Sequence, residues 1–276
     1  MGKLDGKVAV ITGGARGQGR SHAVTLAREG ANIVICDVCE QLPTVQIPMA
    51  TEADMAETVR MVEDLDRRCV AIKADVRDGE AMRGVAERAM SEFGRIDILL
   101  ANAGIASFGG TWEMSDETWN EMIDVNLTGV WQSCKAVIPH MIAGGRGGSI
   151  VITSSIAGLK GLSGAAHYVT AKHAVVGLMR TLAIELAPHS IRVNTVHPTN
   201  VDTPMVNNPV LFEAFSGGRP GATFEDAKPT LQAMNLWPIP WVEAQDISNA
   251  ILWLVSDDAR YVTGVTLPVD LGLMVK

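Results

Sequence analysis

The sequence predicts an α/β fold: one doubly wound parallel sheet of about seven strands, flanked by helices on both faces. Three observations carry this. Short β-branched runs at 8–12, 32–37, 69–74, 96–101, 149–154, 191–197 and 265–269 alternate with helical patterns at 18–29, 51–67, 78–93, 115–143, 165–187 and 244–256. Most of the runs are apolar without a break, as parallel strands covered on both faces read. The chain has 276 residues, 47% apolar and 20% charged, which suits a large core and excludes disorder. No repeat or linker interrupts the alternation, so a single domain over 1–276 is expected.

The first run leads straight into Thr12-Gly-Gly-Ala-Arg-Gly-Gln-Gly19. Glycines here allow a tight turn and let main-chain N–H groups approach a pyrophosphate at a helix N-terminus. Gly13, Arg16, Gly17, Gln18 and Gly19 are the candidate cradle; the plainer alternative is a glycine-rich strand-to-helix turn. The spacing is T-G-x-x-x-G-x-G, because His22 stands where a G-x-G-x-x-G pattern has its third glycine.

The second run ends at Asp37, with Val38 beside it in the candidate set. A carboxylate there accepts both ribose hydroxyls of an adenosine and repels a 2′-phosphate, favouring NAD over NADP. Arg16 pulls the other way, but it is free to point to solvent, whereas the repulsion at Asp37 is direct. Cys36 and Cys39 have C-x-x-C spacing without a second pair for tetrahedral zinc, so core packing is the better reading and no metal is expected.

Further along, Thr51-Glu-Ala-Asp54 forms a capping box, and Ser115 with Asp116 and Glu117 opens the 115–143 helix. Pro139 should bend its last turns before Gly144-Gly145 ends it. Two connections, 38–50 and 198–243, exceed normal length, which usually signals function.

Tyr168, one of two tyrosines, precedes Lys172 by four residues, placing both on one face of the 165–187 helix. An ammonium there favours the phenolate and can lower the phenol toward neutrality, making it a general base. Ser155 closes the fifth run, at the strand end where open parallel sheets bind ligands, and its hydroxyl can donate to a carbonyl or alkoxide oxygen. Asn126 lies mid-helix, where an asparagine is buried only when bonded; it could bend the helix around a water leading to Lys172.

Taken in order, Thr12-Gly13-x3-Gly17-x-Gly19, Asp75-Val76, Asn102-Ala103-Gly104, Asn126, Ser155, Tyr168-x3-Lys172 and Pro198-x4-Thr203 resemble the short-chain dehydrogenase/reductase family over essentially the whole chain. The resemblance implies a Rossmann-type domain with Asn126, Ser155, Tyr168 and Lys172 as the catalytic set. Asp75, with Val76, would hydrogen-bond near the adenine. Asn102, with Ala103 and Gly104, would support the fourth strand and the nicotinamide ribose. Pro198, Val201 and Thr203 would hold the carboxamide, and Lys172, with Tyr168, the ribose hydroxyls.

Departures are Ala101 before Asn102, Thr199 for the glycine after Pro198, with His197 before it, and extra length around Cys39–Thr51. With Leu267-Pro-Val-Asp270, these features are similar to the branch of carveol dehydrogenases and mycofactocin-coupled dehydrogenases. That branch implies NAD that exchanges slowly, hence an external redox carrier; an insert beginning beside Asp37 can fold over the adenosine. It also implies a homotetramer pairing the 115–143 and 165–187 helices.

The 198–243 segment carries Met205, Phe212, Phe215, Leu231, Met234, Leu236, Trp237, Ile239 and Trp241, which suits a substrate lid or a subunit contact. Phe108 and Ile105 would line the opposite wall. Arg219 and Lys228 are the lid's only cations, so the expected substrate is a small apolar secondary alcohol or its ketone, terpenoid-like by resemblance. A nucleotide-sugar epimerase or a non-enzymatic NAD sensor or scaffold shares part of the motif set. The first lacks room for its C-terminal substrate region; the second has no use for all four proton-transfer residues.

A net charge of −8 excludes a general basic surface for nucleic acid. No apolar run approaches the ~20 residues that span a bilayer, and the first apolar run is too short for a secretory signal. Four scattered cysteines suit reduced thiols and a cytoplasmic setting.

Overall fold

The computed structural model describes residues 2–276. Its elements are β1 (Val8–Thr12), α1 (Gly17–Arg28), β2 (Asn32–Asp37), α2 (Glu52–Glu63), β3 (Cys69–Lys73), α3 (Gly79–Phe93) and β4 (Ile98–Ala101) in the first half. Then come α4 (Asp116–Ile123), α5 (Gly129–Gly144), β5 (Gly148–Thr153), α6 (Ala166–Leu186), β6 (Ile191–Pro198), β7 (Val201–Asp202), α7 (Pro209–Phe215), α8 (Phe224–Met234), β8 (Val242–Glu243), α9 (Ala244–Val255) and β9 (Thr266–Val269).

Seven strands form one sheet in the order β3-β2-β1-β4-β5-β6-β9, and every neighbouring pair is parallel. The unbroken apolar runs are explained by burial on both faces. Val8 and Val10 of β1 face a core with Met82 and Val85 of α3, Val137 of α5 and Val175 of α6. Ala9 and Ile11 face Ala23 and Leu26 of α1 and Ile247 and Ile251 of α9. The chain winds outward from β1 to β3, then returns to place β4 on the other side of β1. That reversal opens a crevice at the carboxyl ends of β1 and β4, where such sheets bind ligands.

Three expectations need correction. The 115–143 helix is not uniform: α4 and α5 are joined by a π-helical turn over 124–128, while the helix runs through Pro139 and ends at Gly145 with φ 61°. The 51–67 helix stops at Glu63, and Asp66 takes the left-handed conformation with φ 56°. The 198–243 connection is organised rather than irregular, holding α7, α8 and the β7–β8 pair; Pro209 starts α7 behind the Asn208 cap, where a missing N–H costs nothing.

By contrast, 38–50 has no helix or strand, yet it is anchored. Leu42, Val45 and Ile47 are buried in the core, and the Gln41 amide donates to Val45 O at 2.6 Å while accepting from Met49 N at 3.1 Å. Among the described residues no helix is long and apolar enough to cross a membrane.

Candidate active site

The turn after β1 is built by close backbone approach. Gly13 has φ 66°, and a Cβ on it would lie 2.8 Å from Ala103 Cα; one on Gly19 would lie 2.0 Å from Gly13 O. Only glycine fits either place. Across the crevice, Asn102 Nδ2 donates to Thr12 O at 3.1 Å, and Thr12 Oγ1 accepts from Asn102 N and Ala103 N at 3.0 Å. The ends of β1 and β4 are thereby locked together. His22, at the position of the absent third glycine, is fully buried beside α9, with Nδ1 2.8 Å from Ser248 Oγ; burial pushes it down to about 3. In this chain a side-chain hydrogen bond to α9 occupies the place that a glycine's small size serves elsewhere.

Asp37 stands at the crevice wall, accepting from Ala15 N at 3.1 Å and Cys39 N at 3.3 Å. Burial raises it above the ordinary carboxylate value, and these N–H groups and Arg16 pull it back. Arg16 does not point to solvent: half-buried, it donates to the carbonyl of Pro48 and so clasps the 38–50 segment. A second tether is Glu121 of α4, a buried carboxylate that accepts from Thr44 N at 3.1 Å, Thr44 Oγ1 at 2.5 Å and Arg77 Nη1 at 3.0 Å. Arg77 in turn grips Asp75, at 2.6 and 2.8 Å, so the Asp75 carboxylate is already paired where it meets the crevice.

The crevice has two connected parts. The first, of about 150 Å³, is lined by Gly13, Arg16, Gly17, Gln18, Gly19, Asp37, Val38, Asp75, Val76, Asn102, Ala103 and Gly104, together with 38–50 residues from Leu42 to Ala50. The second, of about 310 Å³, is lined by Ser155, Tyr168, Lys172, Pro198, Val201 and Thr203. Gln18, Asn102, Gly104 and Thr203 border both. Every candidate cofactor residue thus faces one continuous groove.

Ser155 is held in extended backbone at φ −170°, ψ 166°, and its Oγ accepts from Ala157 N at 3.1 Å. That leaves the hydroxyl proton to be donated toward the cavity, where the Tyr168 phenol oxygen adjoins it. Burial pushes the Tyr168 phenol up from its ordinary value, and the adjoining Ser155 hydroxyl pulls it down. Burial also pushes Lys172 down, to about 8. The expected lowering of Tyr168 is therefore corrected: within the protein alone, loss of hydration dominates, while Lys172 Nζ lies 5.6 Å from the ring centroid and donates to Thr153 O at 2.8 Å.

Asn126 lies on the π-helical turn and is fully buried, not among the groove-lining side chains. Its Oδ1 accepts from Ile105 N at 2.8 Å and its Nδ2 donates to Ile105 O at 2.9 Å. The amide pins the loop after β4. It nonetheless converges with Lys172, since a Cβ on Gly104 would lie 3.2 Å from Asn126 Oδ1 and 3.5 Å from Lys172 Nζ.

The apolar residues of 198–243 divide. Met205, Phe215 and Met234 line the larger cavity with Ile105 and Phe108 opposite; Val206 and Leu211, missed from sequence, join them. Phe224 stacks on Trp241 at 4.4 Å, Leu231 is buried, and Leu236, Trp237 and Ile239 are exposed. Lys172 is the one charged side chain among the described residues lining this cavity. Arg219 pairs with Asp226, and Lys228 with Glu225 at 3.5 Å. Thr153 was also missed, because a main-chain carbonyl leaves no mark on residue identity.

The chain matches a family model described as short chain dehydrogenase over residues 7–211. It is 51% identical to the (-)-trans-carveol dehydrogenase of Rhodococcus erythropolis over 100% of both chains. Among solved structures, carveol dehydrogenase from Mycobacterium avium in complex with NAD superposes with a TM-score of 0.98 at 50% identity, covering 100% of each chain. A short chain dehydrogenase from Mycobacterium paratuberculosis bound to NAD gives 0.92 at 42% identity, again over 100% of each.

Proposed function

The chain belongs to the short-chain dehydrogenase family, and on that premise we propose that it moves a hydride between a small apolar secondary alcohol of terpenoid type and NAD, giving the ketone. One observation carries the reading: Ser155, Tyr168 and Lys172 converge on an apolar cavity that opens into the glycine-turn crevice. The carveol dehydrogenases at 50–51% identity support the substrate class, and two NAD-bound relatives support the cofactor.

The groove fits NAD. Close-packed glycines leave the turn's main chain accessible to a pyrophosphate, and Asp37 offers acceptors where a 2′-phosphate would be repelled. Asp75, Val76, Asn102, Ala103 and Gly104 would flank the nucleotide, with Pro198, Val201 and Thr203 at its carboxamide end. When bound, the oxidised nicotinamide supplies the hydride acceptor and a positive charge favouring phenolate.

In this reading Tyr168 takes the alcohol proton as general base, and returns it as general acid in ketone reduction. Ser155 donates its O–H to the substrate oxygen as charge develops there. Lys172 adds cationic character beside the phenol, and a water between it and Asn126 over Gly104 carries the proton outward. With no side-chain anion partner in the cavity beyond Lys172, a carboxylate-bearing alcohol would lose its hydration uncompensated, so apolar alcohols are favoured.

The 38–50 segment acts as a strap over the adenosine side, held by Arg16 and Glu121, and 198–243 acts as the substrate lid. Retained NAD would need reoxidation in place, which favours an external carrier of the mycofactocin kind. Exposed Trp131 on α5 and Ile184 on α6 suit a homotetramer pairing those helices, and the free thiols suit a cytoplasmic setting.

The test is absorbance of NADH with a panel of cyclic terpenoid and simpler secondary alcohols, run with and without an artificial electron acceptor. Oxidation of apolar cyclic alcohols is expected. Silence across the panel in both formats would overturn the reading.

A further inference from the structure

His197, fully buried at the end of β6, has no part in the chemistry above. Its Nδ1 lies 2.7 Å from the main-chain oxygen of Ser155, and its Nε2 lies 2.8 Å from Thr195 Oγ1. A carbonyl oxygen only accepts, so Nδ1 carries the proton; the threonine hydroxyl has Val265 O as an alternative acceptor at 3.4 Å, and the shorter 2.8 Å contact makes Nε2 its acceptor. Two neighbours thereby fix one neutral tautomer. Burial supports the neutral form, pushing His197 down to about 4; the bond to the Ser155 carbonyl opposes this, and Lys172 and His173 act with burial.

The placement of this bond matters. Main-chain pairing between β5 and β6 runs to Thr153 opposite Val196, and Ser154 N still donates to Val196 O at 2.9 Å. One residue further the ladder has ended, and the Ser155 carbonyl is received by Gly158 N of the following turn at 2.8 Å and, from the β6 side, by the imidazole. Ser155 is thus held by three groups: its carbonyl by His197 Nδ1 and Gly158 N, and its Oγ by Ala157 N; of these only the imidazole ties it back to β6. Together they set the direction in which the remaining O–H points.

We propose that His197 is a positioning residue for the Ser155 hydroxyl, aiming it at the substrate oxygen by holding the Ser155 peptide where the sheet no longer can. The proposal rests on the dehydrogenase reading of Ser155, and it assigns work to a residue in the segment where this chain departs from its family pattern.

Three variants test it. An asparagine places an amide N–H at the branch position of Nδ1, a glutamine places it at that of Nε2, and a leucine places none. His197→Asn is expected to keep kcat within about threefold, whereas His197→Gln and His197→Leu lose about tenfold or more in kcat with KM within about twofold, since small misplacements of a catalytic group are costly. Melting temperature and retained NAD are measured on each, and the loss in kcat should not follow either. A leucine variant with wild-type kcat, or Asn falling as far as Gln, overturns the proposal; if the leucine variant does not fold, the Asn–Gln contrast decides. Independently of turnover, two-bond ¹H–¹⁵N spectra of histidine-labelled protein should show His197 neutral with its proton on Nδ1. A proton on Nε2 would sink this inference while leaving the dehydrogenase reading intact, whereas a wild type inert toward every alcohol would overturn that reading and this assignment with it.

Discussion

Lys172 Nζ and the main-chain oxygen of Thr153 lie 2.8 Å apart, so the end of β5 holds the buried ammonium directly beneath the larger cavity. A carbonyl supplies one dipole where bulk water would solvate all three N–H groups, and burial accordingly pushes the amine down to about 8.

That depression has a sign. Between about pH 8 and the ordinary lysine value near 10.4, the unfolded chain binds a proton that the folded chain has lost, so the contribution of Lys172 to stability rises with pH across this window. Urea unfolding of wild type and Lys172→Met at pH 7.5 and 10 should show the difference moving in favour of wild type by roughly 1–3 kcal/mol. An unchanged difference contradicts the burial account.

Tyr168→Phe removes the proposed base while leaving the ring's packing. Turnover should fall by ~10²–10⁴-fold with nucleotide retention close to wild type. Retention of more than about a tenth of wild-type turnover would assign the proton transfer elsewhere.

Asn126→Ala strips the buried main chain of Ile105 of both amide partners. Two buried main-chain groups left unpaired should cost roughly 2–4 kcal/mol, visible as a melting point lower by several degrees. A melting point unchanged by the substitution would mean that the loop finds other partners.

Glu121 bonds Thr44 through both the main chain and the hydroxyl. Glu121→Gln weakens charge-assisted bonds to Thr44 and Arg77, so the 38–50 strap should open more often. Bound NADH, followed by its fluorescence after gel filtration, should leave about tenfold faster, the effect of ~1.4 kcal/mol on a rate. Equal loss rates in wild type and variant would remove the strap from cofactor retention.

The sheet was legible because a parallel strand writes itself as an unbroken apolar run, and Val8–Thr12 or Ile98–Ala101 admit little else. The glycine turn was legible because Gly13 and Gly19 answer to steric contacts that no other residue survives. Elsewhere the one-dimensional record is thin. The π-helical turn at 124–128 is marked by no residue type of its own, and its Asn126 satisfies Ile105, a partner twenty-one positions away. Helices α7 and α8 are short, and Pro229 inside α8 reads as a break. The direction of the Tyr168 shift depends on how much water burial removes, a property of the packed cavity that the i, i+4 spacing to Lys172 does not carry. His197 resembles any polar residue at a strand end until its two hydrogen bonds are seen.

The clasp of Arg16 on the Pro48 carbonyl bears on attempts to convert the enzyme to a phosphorylated dinucleotide. Exchanging Asp37 for a small neutral side chain would remove the repulsion without gaining a counter-ion, because the nearby guanidinium is already engaged in securing a neighbouring loop. Engineering such a switch calls for two edits made together: one at the acidic position, and one that releases the arginine by shortening or re-anchoring that loop.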